Sequence, residues 1–119
     1  MQKWYEQLPD KCPPKDAFEP EGKVYYRLIN NVQPTSDDFI SKSAELPFQK
    51  FIGIDDCVLK AVSIFEQKND CEKMTKFPRH KNKTVYELNL KKEDGLVKKT
   101  FDNSHYSWWR SNNFLIDNN

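Results

Sequence analysis

The sequence predicts a single small α+β domain with an antiparallel or mixed twisted sheet, three short helices and an irregular N-terminal arm. A chain of 119 residues has the size of one domain. Two segments, 23–29 and 84–90, have the β-branched, aromatic and alternating composition that is typical of strands. Short segments with helix-start signals lie between them. Helices that pack against one sheet bury their own apolar faces and the apolar face of the sheet. This order of elements therefore favours the α+β class.

The first 22 residues are expected to form the arm, and residues 23–119 to form the α+β domain. The arm contains four prolines, which fix the backbone angle φ and remove hydrogen-bond donors. We expect Trp4, Leu8 and Phe18 to anchor the arm to the domain. The segment KVYYRLI, residues 23–29, then predicts a first strand.

Three short helices are expected in the middle of the chain. Thr35 and the two aspartates after it predict a helix start, with an end near Ala44. Residues 54–65 are ambiguous, because their apolar side chains follow helical spacing whereas VSIF at 62–65 is also typical of a buried strand. We favour a helix over 55–61 that runs into a short strand. Asn69, three residues before Glu72, predicts a third helix to about residue 76.

The C-terminal third predicts a meander of three strands. The segment TVYELNL, residues 84–90, alternates apolar and polar side chains. Asp94-Gly95 is a strong hairpin signal, so residues 96–101 are expected to return beside that strand. Residues 105–110 are expected to form a last strand after a second turn.

The last strand, HYSWWR, raises the question of what covers its two tryptophans. Neighbouring side chains of a strand point to opposite faces, so Trp109 shares one face with His105 and Trp108 shares the other with Arg110. Both tryptophans can be buried if the arm and the helices cover both faces of the sheet. Alternatively, Trp108 lies exposed beside Arg110 and forms a surface on which a ring can stack.

Composition and cysteine content bear on the compartment and on metal binding. The chain has no apolar run near 18 residues, and its first 14 residues lack a signal-type apolar segment. We therefore expect a cytoplasmic protein. Three cysteines at irregular spacing are a poor disulfide framework and a poor zinc site, so we expect free, partly buried thiols. His80 and His105 have no metal-ligand spacing, and no metal site is expected.

Charge is distributed unevenly although the net charge is only +1. Residues 73–99 carry nine Lys or Arg against three Asp or Glu, whereas residues 1–72 have a net charge of −4. This pattern indicates an anionic partner, a match of opposite fields within or between chains, or a solvated surface with a local imbalance. Lys98 and Lys99, with Lys91 and Lys92, form a Lys-rich hairpin that can meet phosphates.

Arg27 lies in the middle of the first strand, on the face it shares with Tyr25. A buried arginine needs a carboxylate partner or an anionic ligand. Glu87 or Asp37 can supply the carboxylate. Otherwise, Arg27 is an anion clamp.

Arg27 on a first strand, Ser63 in VSIF and Glu87 on a later strand follow the Arg…Ser…Glu order of ADP-ribosyltransferase-like domains, and the chain resembles that family. The resemblance implies that Arg27 holds the NAD phosphates, Ser63 orders the site and Glu87 stabilises the ribosyl transition state. The segments YYRLI, VSIF and HYSWW also resemble those of small uncharacterised bacterial proteins, which implies an organisation of elements without an activity.

These observations favour a small non-catalytic binding or regulatory domain that docks a protein or a small anionic ligand, with no membrane partner. Its ligand-binding residues are expected in an aromatic/Arg face and the Lys-rich hairpin: Tyr25, His105, Trp108, Arg110, Lys98 and Lys99. The first alternative is an ADP-ribosyltransferase-like enzyme or degenerate enzyme with Arg27, Ser63 and Glu87 as catalytic residues. No cofactor is expected unless that alternative holds, in which case it is NAD or another nucleotide. The second alternative is nucleic-acid binding, which a pI near 7.7 does not favour.

Overall fold

A computed structural model describes residues 4–30 and 32–116 and shows an α+β fold built on a five-stranded antiparallel sheet. The first three residues of the expected arm and the last three of the expected domain lie outside this range, as does residue 31. The strand order in the sheet is β3-β1-β2-β5-β4. The strands are β1 (Lys23–Ile29), β2 (Val62–Phe65), β3 (Thr84–Leu90), β4 (Gly95–Lys99) and β5 (His105–Arg110).

Three short helices connect the strands, as the sequence predicted: α1 (Lys42–Glu45), α2 (Asp56–Leu59) and α3 (Lys68–Lys73). The helix expected to begin after Thr35 is divided into a 3-10 turn at Ser36–Asp38 and the separate helix α1. Further 3-10 turns lie at Met74–Lys76, Pro78–His80 and Lys92–Asp94. No helix in the described part of the chain is long and apolar enough to cross a membrane.

The ambiguous segment 54–65 contains α2 and then β2. The carboxylate of Asp55 accepts a hydrogen bond from the Cys57 amide at 3.1 Å and so caps α2. Val62 to Phe65 then pair residue by residue with β5, from Val62 opposite Trp108 to Phe65 opposite His105. Pairing with β5 therefore decides that VSIF is a strand, which local propensity had left open.

The expected hairpin between β3 and β4 is wrong, because these two strands lie at opposite edges of the sheet. The chain leaves β3 through the 3-10 turn, where the buried Asp94 carboxylate accepts a hydrogen bond from the Lys91 amide at 2.7 Å. Gly95 then adopts φ 137° and ψ −155°, a conformation essentially restricted to glycine. The Asp94-Gly95 pair thus redirects the chain towards β5 instead of reversing it along β3.

Both faces of the sheet are covered at Trp108 and Trp109, which are each fully buried. Trp108 lies in the larger apolar cluster, where its ring contacts those of Phe39 and Phe114. Trp109 lies in a second cluster with Cys57 and Ala61, and the arm supplies the other side of that cluster. The exposed aromatic/Arg face considered for Trp108 is therefore absent.

The arm is attached to the domain at several points along its length. Trp4 forms a β-bridge with Ser111, and Phe18 forms one with Val97. The Glu6 carboxylate accepts hydrogen bonds from the Ser41 amide at 2.8 Å and from its hydroxyl at 2.6 Å. The anchoring role predicted for Trp4 and Leu8 is confirmed by their packing against the Trp109 cluster.

A disulfide bond joins Cys12 of the arm to Cys57 of α2. The prediction of free thiols is therefore wrong for two of the three cysteines, and Cys71 alone is free and buried. The two sulfur atoms meet because the arm and α2 both pack against Trp109. The 45-residue separation of the two cysteines gave no sign of this contact.

Replacement of Gly95 by alanine is expected to destabilise the fold by about 2–5 kcal/mol, from left-handed backbone strain and overpacking. An added Cβ would overlap the Trp109 carbonyl oxygen and approach Trp108 Nε1 at 2.9 Å. Urea unfolding measures the change. Gly53→Ala is the matched control, because Gly53 also has a positive φ (81°) but nothing lies within 4 Å of its added Cβ, so a cost of about 1 kcal/mol is expected. Equal costs at both positions would contradict the close packing at Gly95.

One free thiol per chain is expected when the purified protein is unfolded in guanidinium chloride without reductant and titrated with a thiol reagent. The remaining two cysteines form the disulfide. Reductant should then lower the free energy of unfolding by about 2–4 kcal/mol, since the bond closes a long loop. A Cys12→Ser/Cys57→Ser double variant should not respond to reductant, whereas three thiols in the untreated protein would contradict the disulfide.

Candidate functional site

A cavity of about 300 Å³ lies where β1, β2 and β5 meet α1, the segment 74–83 and the turn between β4 and β5. We call it the basic cavity, because four cationic side chains but only two carboxylates line it. The cationic residues are Arg27, Lys42, Arg79 and Lys83, and the carboxylates are Glu45 and Asp102. The rest of the lining is formed by two imidazoles, four apolar side chains, a serine and an asparagine: His80, His105, Leu28, Phe65, Met74, Phe101, Ser63 and Asn103.

Arg27 is fixed in one orientation by hydrogen bonds from every nitrogen of its guanidinium group. Its Nε donates to the carbonyl of Asp38 at 3.0 Å, and its Nη1 donates to the carbonyl of Ser63 at 3.0 Å. Its Nη2 donates to Glu45 Oε1 at 2.6 Å and to the carbonyl of Ile40 at 3.4 Å. The side chain is 11% exposed, so its charge is largely removed from water.

The carboxylate partner of Arg27 is Glu45 of α1. The expected partners Glu87 and Asp37 are both wrong, although the expectation that a mid-strand arginine needs a carboxylate is confirmed. Glu45 also accepts a hydrogen bond from Arg79 Nη2 at 2.9 Å through its second oxygen. Burial alone would raise the pKa of Glu45, but the charge and hydrogen bond of Arg27, together with Lys83 and Arg79, lower it.

Lys42 and Lys83 contribute positive charge that no described carboxylate pairs with directly. Neither side chain forms a salt bridge within residues 4–30 and 32–116. Burial lowers the pKa of both lysines, and Arg79 lowers it further. Because Glu45 is already shared by two arginines, the cavity keeps an excess of positive charge.

Two imidazoles in the cavity wall are held in the neutral form. Burial lowers the pKa of His80 to about 4, and the charges of Lys83 and Arg79 act in the same direction. Its Nδ1 is buried and has no hydrogen-bond partner among the described residues. Burial also lowers the pKa of His105 to about 4, and its Nδ1 lies 3.0 Å from the Thr100 hydroxyl.

Aromatic side chains form another part of the cavity wall. The His105 ring lies between those of Phe65 and Phe101, with ring centroids 5.2 Å and 5.0 Å away in edge-to-face geometry. Phe101 is 57% exposed and lies in the turn between β4 and β5. The lining of the cavity therefore combines cationic and aromatic side chains.

The predicted catalytic residues Arg27, Ser63 and Glu87 do not form one site. Arg27 and Ser63 are in contact and both line the basic cavity. Glu87 is exposed on β3, an edge strand, and lines a different groove with residues 86–89 and 113–115. The carboxylate in the cavity that contacts Arg27 is Glu45, which is bound to two arginines and is not free to act on a substrate.

Three of the predicted ligand-binding residues are inside the protein. Tyr25 and Trp108 are fully buried in the larger apolar cluster. Arg110 is 7% exposed. Its Nη1 donates to the carbonyls of Ser36 and Phe39 at 3.0 and 2.8 Å, and its guanidinium carbon lies 3.6 Å from the centre of the Tyr5 ring. The expectation that these side chains form a docking face is therefore wrong.

The remaining predicted ligand-binding residues have different surroundings. His105 lines the basic cavity. Lys98 forms a salt bridge with Asp16 at 3.0 Å, and Lys99 is exposed. Neither lysine lines the basic cavity, and the strand pairing separates them from β3, so the Lys-rich segment is not a hairpin.

Sequence reasoning missed most of the cavity. Arg79 and Lys83 fall in the basic segment 73–99, so their charge was noted without their position. Lys42 and Glu45 are two charged residues in a short polar helix, and nothing in the local pattern distinguishes them from solvent-exposed ones. Phe101 precedes Asp-Asn-Ser, a turn signal that predicts exposure but not a cavity.

Comparison with known proteins gave no match: no family model, no curated protein and no solved structure is significantly similar to this chain.

Stability should fall between pH 6.5 and pH 4 because of His105. The pKa of this histidine is about 4 in the fold and about 6.5 in an unfolded chain, so the unfolded state binds more protons in this range. The neutral form therefore stabilises the fold fully above pH 6.5, and up to about 3 kcal/mol is lost as the pH falls to 4. Urea unfolding at pH 7 and pH 4.5 measures this loss. His105→Gln should show a smaller pH dependence than the original protein, and an equal dependence would contradict the assignment.

Proposed function

We propose that this domain is a non-catalytic binding or regulatory domain that holds a small anionic ligand in the basic cavity. The observation that carries the proposal is the convergence of Arg27, Lys42, Arg79 and Lys83 on a cavity with two carboxylates, one of which is shared by two arginines. Charge that converges on a concave site with low-dielectric walls raises the local concentration of the opposite charge.

The state of the charged groups supports an anion as the ligand of this cavity. A cation that loses hydration is disfavoured, and burial lowers the pKa values of Lys42, Lys83 and His80 although the charge of Glu45 acts in the opposite direction. A bound phosphate or carboxylate group supplies the counter-charge and accepts charge-assisted hydrogen bonds. Arg27 contributes positive charge at a fixed position, because backbone carbonyls and Glu45 already hold its guanidinium group.

The adjoining cavity, of about 440 Å³, fits an anion less well. It shares Arg27, Arg79 and Lys83 with the basic cavity. However, Asp37, Asp38 and Glu45 also line it, so its positive and negative side chains balance. The size of the basic cavity lies at the lower end of the range for small-molecule sites, which indicates a compact ligand.

The alternatives from sequence have weaker support. An ADP-ribosyltransferase-like enzyme that binds NAD needs Glu87 beside Arg27 and Ser63, and Glu87 lines a separate groove. Nucleic-acid binding through Lys98 and Lys99 is opposed by the salt bridge of Lys98 with Asp16. Protein docking through Trp108 and Arg110 is opposed by their burial.

A cytoplasmic location stays a prediction. The disulfide between Cys12 and Cys57 weighs against it, because such bonds persist mainly in oxidising compartments.

Isothermal titration with inorganic phosphate, ribose 5-phosphate and AMP at low ionic strength tests the proposal. At least one of these anions should bind saturably with one site per chain. A Lys42→Gln/Lys83→Gln double variant should weaken that binding about tenfold or more, because two charge-assisted hydrogen bonds are lost. The matched control is Lys98→Gln/Lys99→Gln, which removes the same charge outside the cavity. It should lower the affinity less than about threefold, because only a long-range electrostatic attraction is lost.

Two results would contradict the proposal. One is the absence of saturable binding for all three anions. The other is an equal loss of affinity in both double variants, which would indicate attraction by net charge and not by the cavity. A nucleic-acid titration in the same series, with affinity that falls steeply with salt and depends on Lys98 and Lys99, would instead favour nucleic-acid binding.

A further inference from the structure

Phe101 combines exposure, backbone strain and a position on the basic cavity. Its side chain is 57% exposed and lines the cavity. Its φ is 58°, and Asn103, two residues later, also has a φ of 58°. Asparagine tolerates this left-handed conformation, whereas a bulky aromatic residue adopts it rarely and at a cost.

The turn that holds Phe101 is fixed on both sides by hydrogen bonds. The Thr100 amide donates to the His105 carbonyl at 3.1 Å, and the Thr100 hydroxyl lies 2.8 Å from that of Ser107. The Ser104 hydroxyl donates to Asp70 at 2.7 Å and accepts from the Gln67 amide at 2.9 Å. Strained backbone that is held in place by its neighbours is common at ligand sites. Here the hydrogen bonds on both sides of the turn fix the position of the exposed Phe101 ring.

The side chains around Phe101 suit a flat ring with polar edges. The Phe101 ring packs edge-to-face against the His105 ring, and Phe101 is 57% exposed and lines the cavity. Asp102 and Asn103 of the same turn also line the cavity. They supply hydrogen-bond acceptors and a donor beside the aromatic surface.

We propose that Phe101 stacks on a planar ring of the ligand, so that the ligand of the basic cavity joins a planar ring to an anionic group. This inference rests on the proposed function, because it extends the anion site by its aromatic wall. A nucleoside monophosphate and an aromatic carboxylate share this chemistry. Stacking of a ring on an aromatic side chain is favourable and tolerant of ring identity.

Matched pairs of compounds test the inference with the unaltered protein. AMP is compared with ribose 5-phosphate, and indole-3-acetate with acetate, so that each pair differs only by the ring. The ring-bearing member of at least one pair should bind about tenfold more tightly. Preference within the first pair identifies the nucleotide class, and preference within the second alone identifies the aromatic carboxylates.

Substitution of Phe101 then assigns the effect to this side chain. Phe101→Leu, which keeps apolar bulk but removes the ring, should abolish the preference and leave ribose 5-phosphate or acetate binding within about twofold. Phe101→Tyr should retain the preference. Phe77→Leu is the matched control, because Phe77 is 56% exposed and does not line the basic cavity; it should change nothing.

The possible results distinguish failure of the stacking inference from failure of the proposed anion site. If an anion binds but neither pair shows a preference for the ring, the inference is wrong and the anion site stands. The same conclusion follows if Phe101→Leu weakens both members of a pair equally, or if Phe77→Leu has the effect of Phe101→Leu. If no anion binds, both proposals are wrong. If the Phe101→Leu protein does not fold, the wild-type comparison still overturns the inference when neither pair shows a preference for the ring.

Discussion

The burial of two adjacent tryptophans on one strand is the constraint on which the rest of the structure depends. Trp108 and Trp109 point to opposite faces of β5, and both are fully buried. Since each indole buries a large apolar area, neither face of the sheet can be left to water along this strand. The larger cluster covers Trp108, and the arm with α2 covers Trp109.

The basic cavity lies on β5 beyond the covered Trp109. The arm and α2 cover the Trp109 end of the second face, and the Cys12–Cys57 bond fixes one to the other. At the other end of β5, His105 and its cross-strand neighbour Phe65 line an open space instead of a packed core. Charged side chains from α1 and from residues 79–83 close the sides of that space. A cover that is complete at one end of β5 and partial at the other therefore leaves this cavity open.

Arg110 and Arg27 are both held by backbone carbonyls, but only Arg27 borders the basic cavity. Arg110 lies in the interior, where its Nη1 donates hydrogen bonds to the carbonyls of residues 36 and 39 and its guanidinium group packs on the Tyr5 ring. It connects β5 to the segment before α1 and has no access to a ligand. Arg27 is held by carbonyls in the same way, but it borders a cavity and shares Glu45 with Arg79. A partly buried ion pair adds little net stability, yet it fixes the geometry of the charges that face the cavity.

The sequence by itself determined the elements whose signals are local. The strands at 23–29 and 84–90, the alternation along β5 and the need of Arg27 for a carboxylate follow from the residues, because side-chain period and desolvation act at each position. Likewise, the sequence limited the tryptophans to two arrangements, of which the covered one is present.

Only the tertiary structure decided the strand order, the disulfide and the members of the cavity. β3 and β4 are consecutive yet lie at opposite edges, and Glu45 replaced the carboxylates that the sequence suggested for Arg27. Side chains from six segments line one cavity because the chain returns repeatedly to the same end of the sheet. Such returns depend on packing between distant segments, which leaves no period or motif in any one of them.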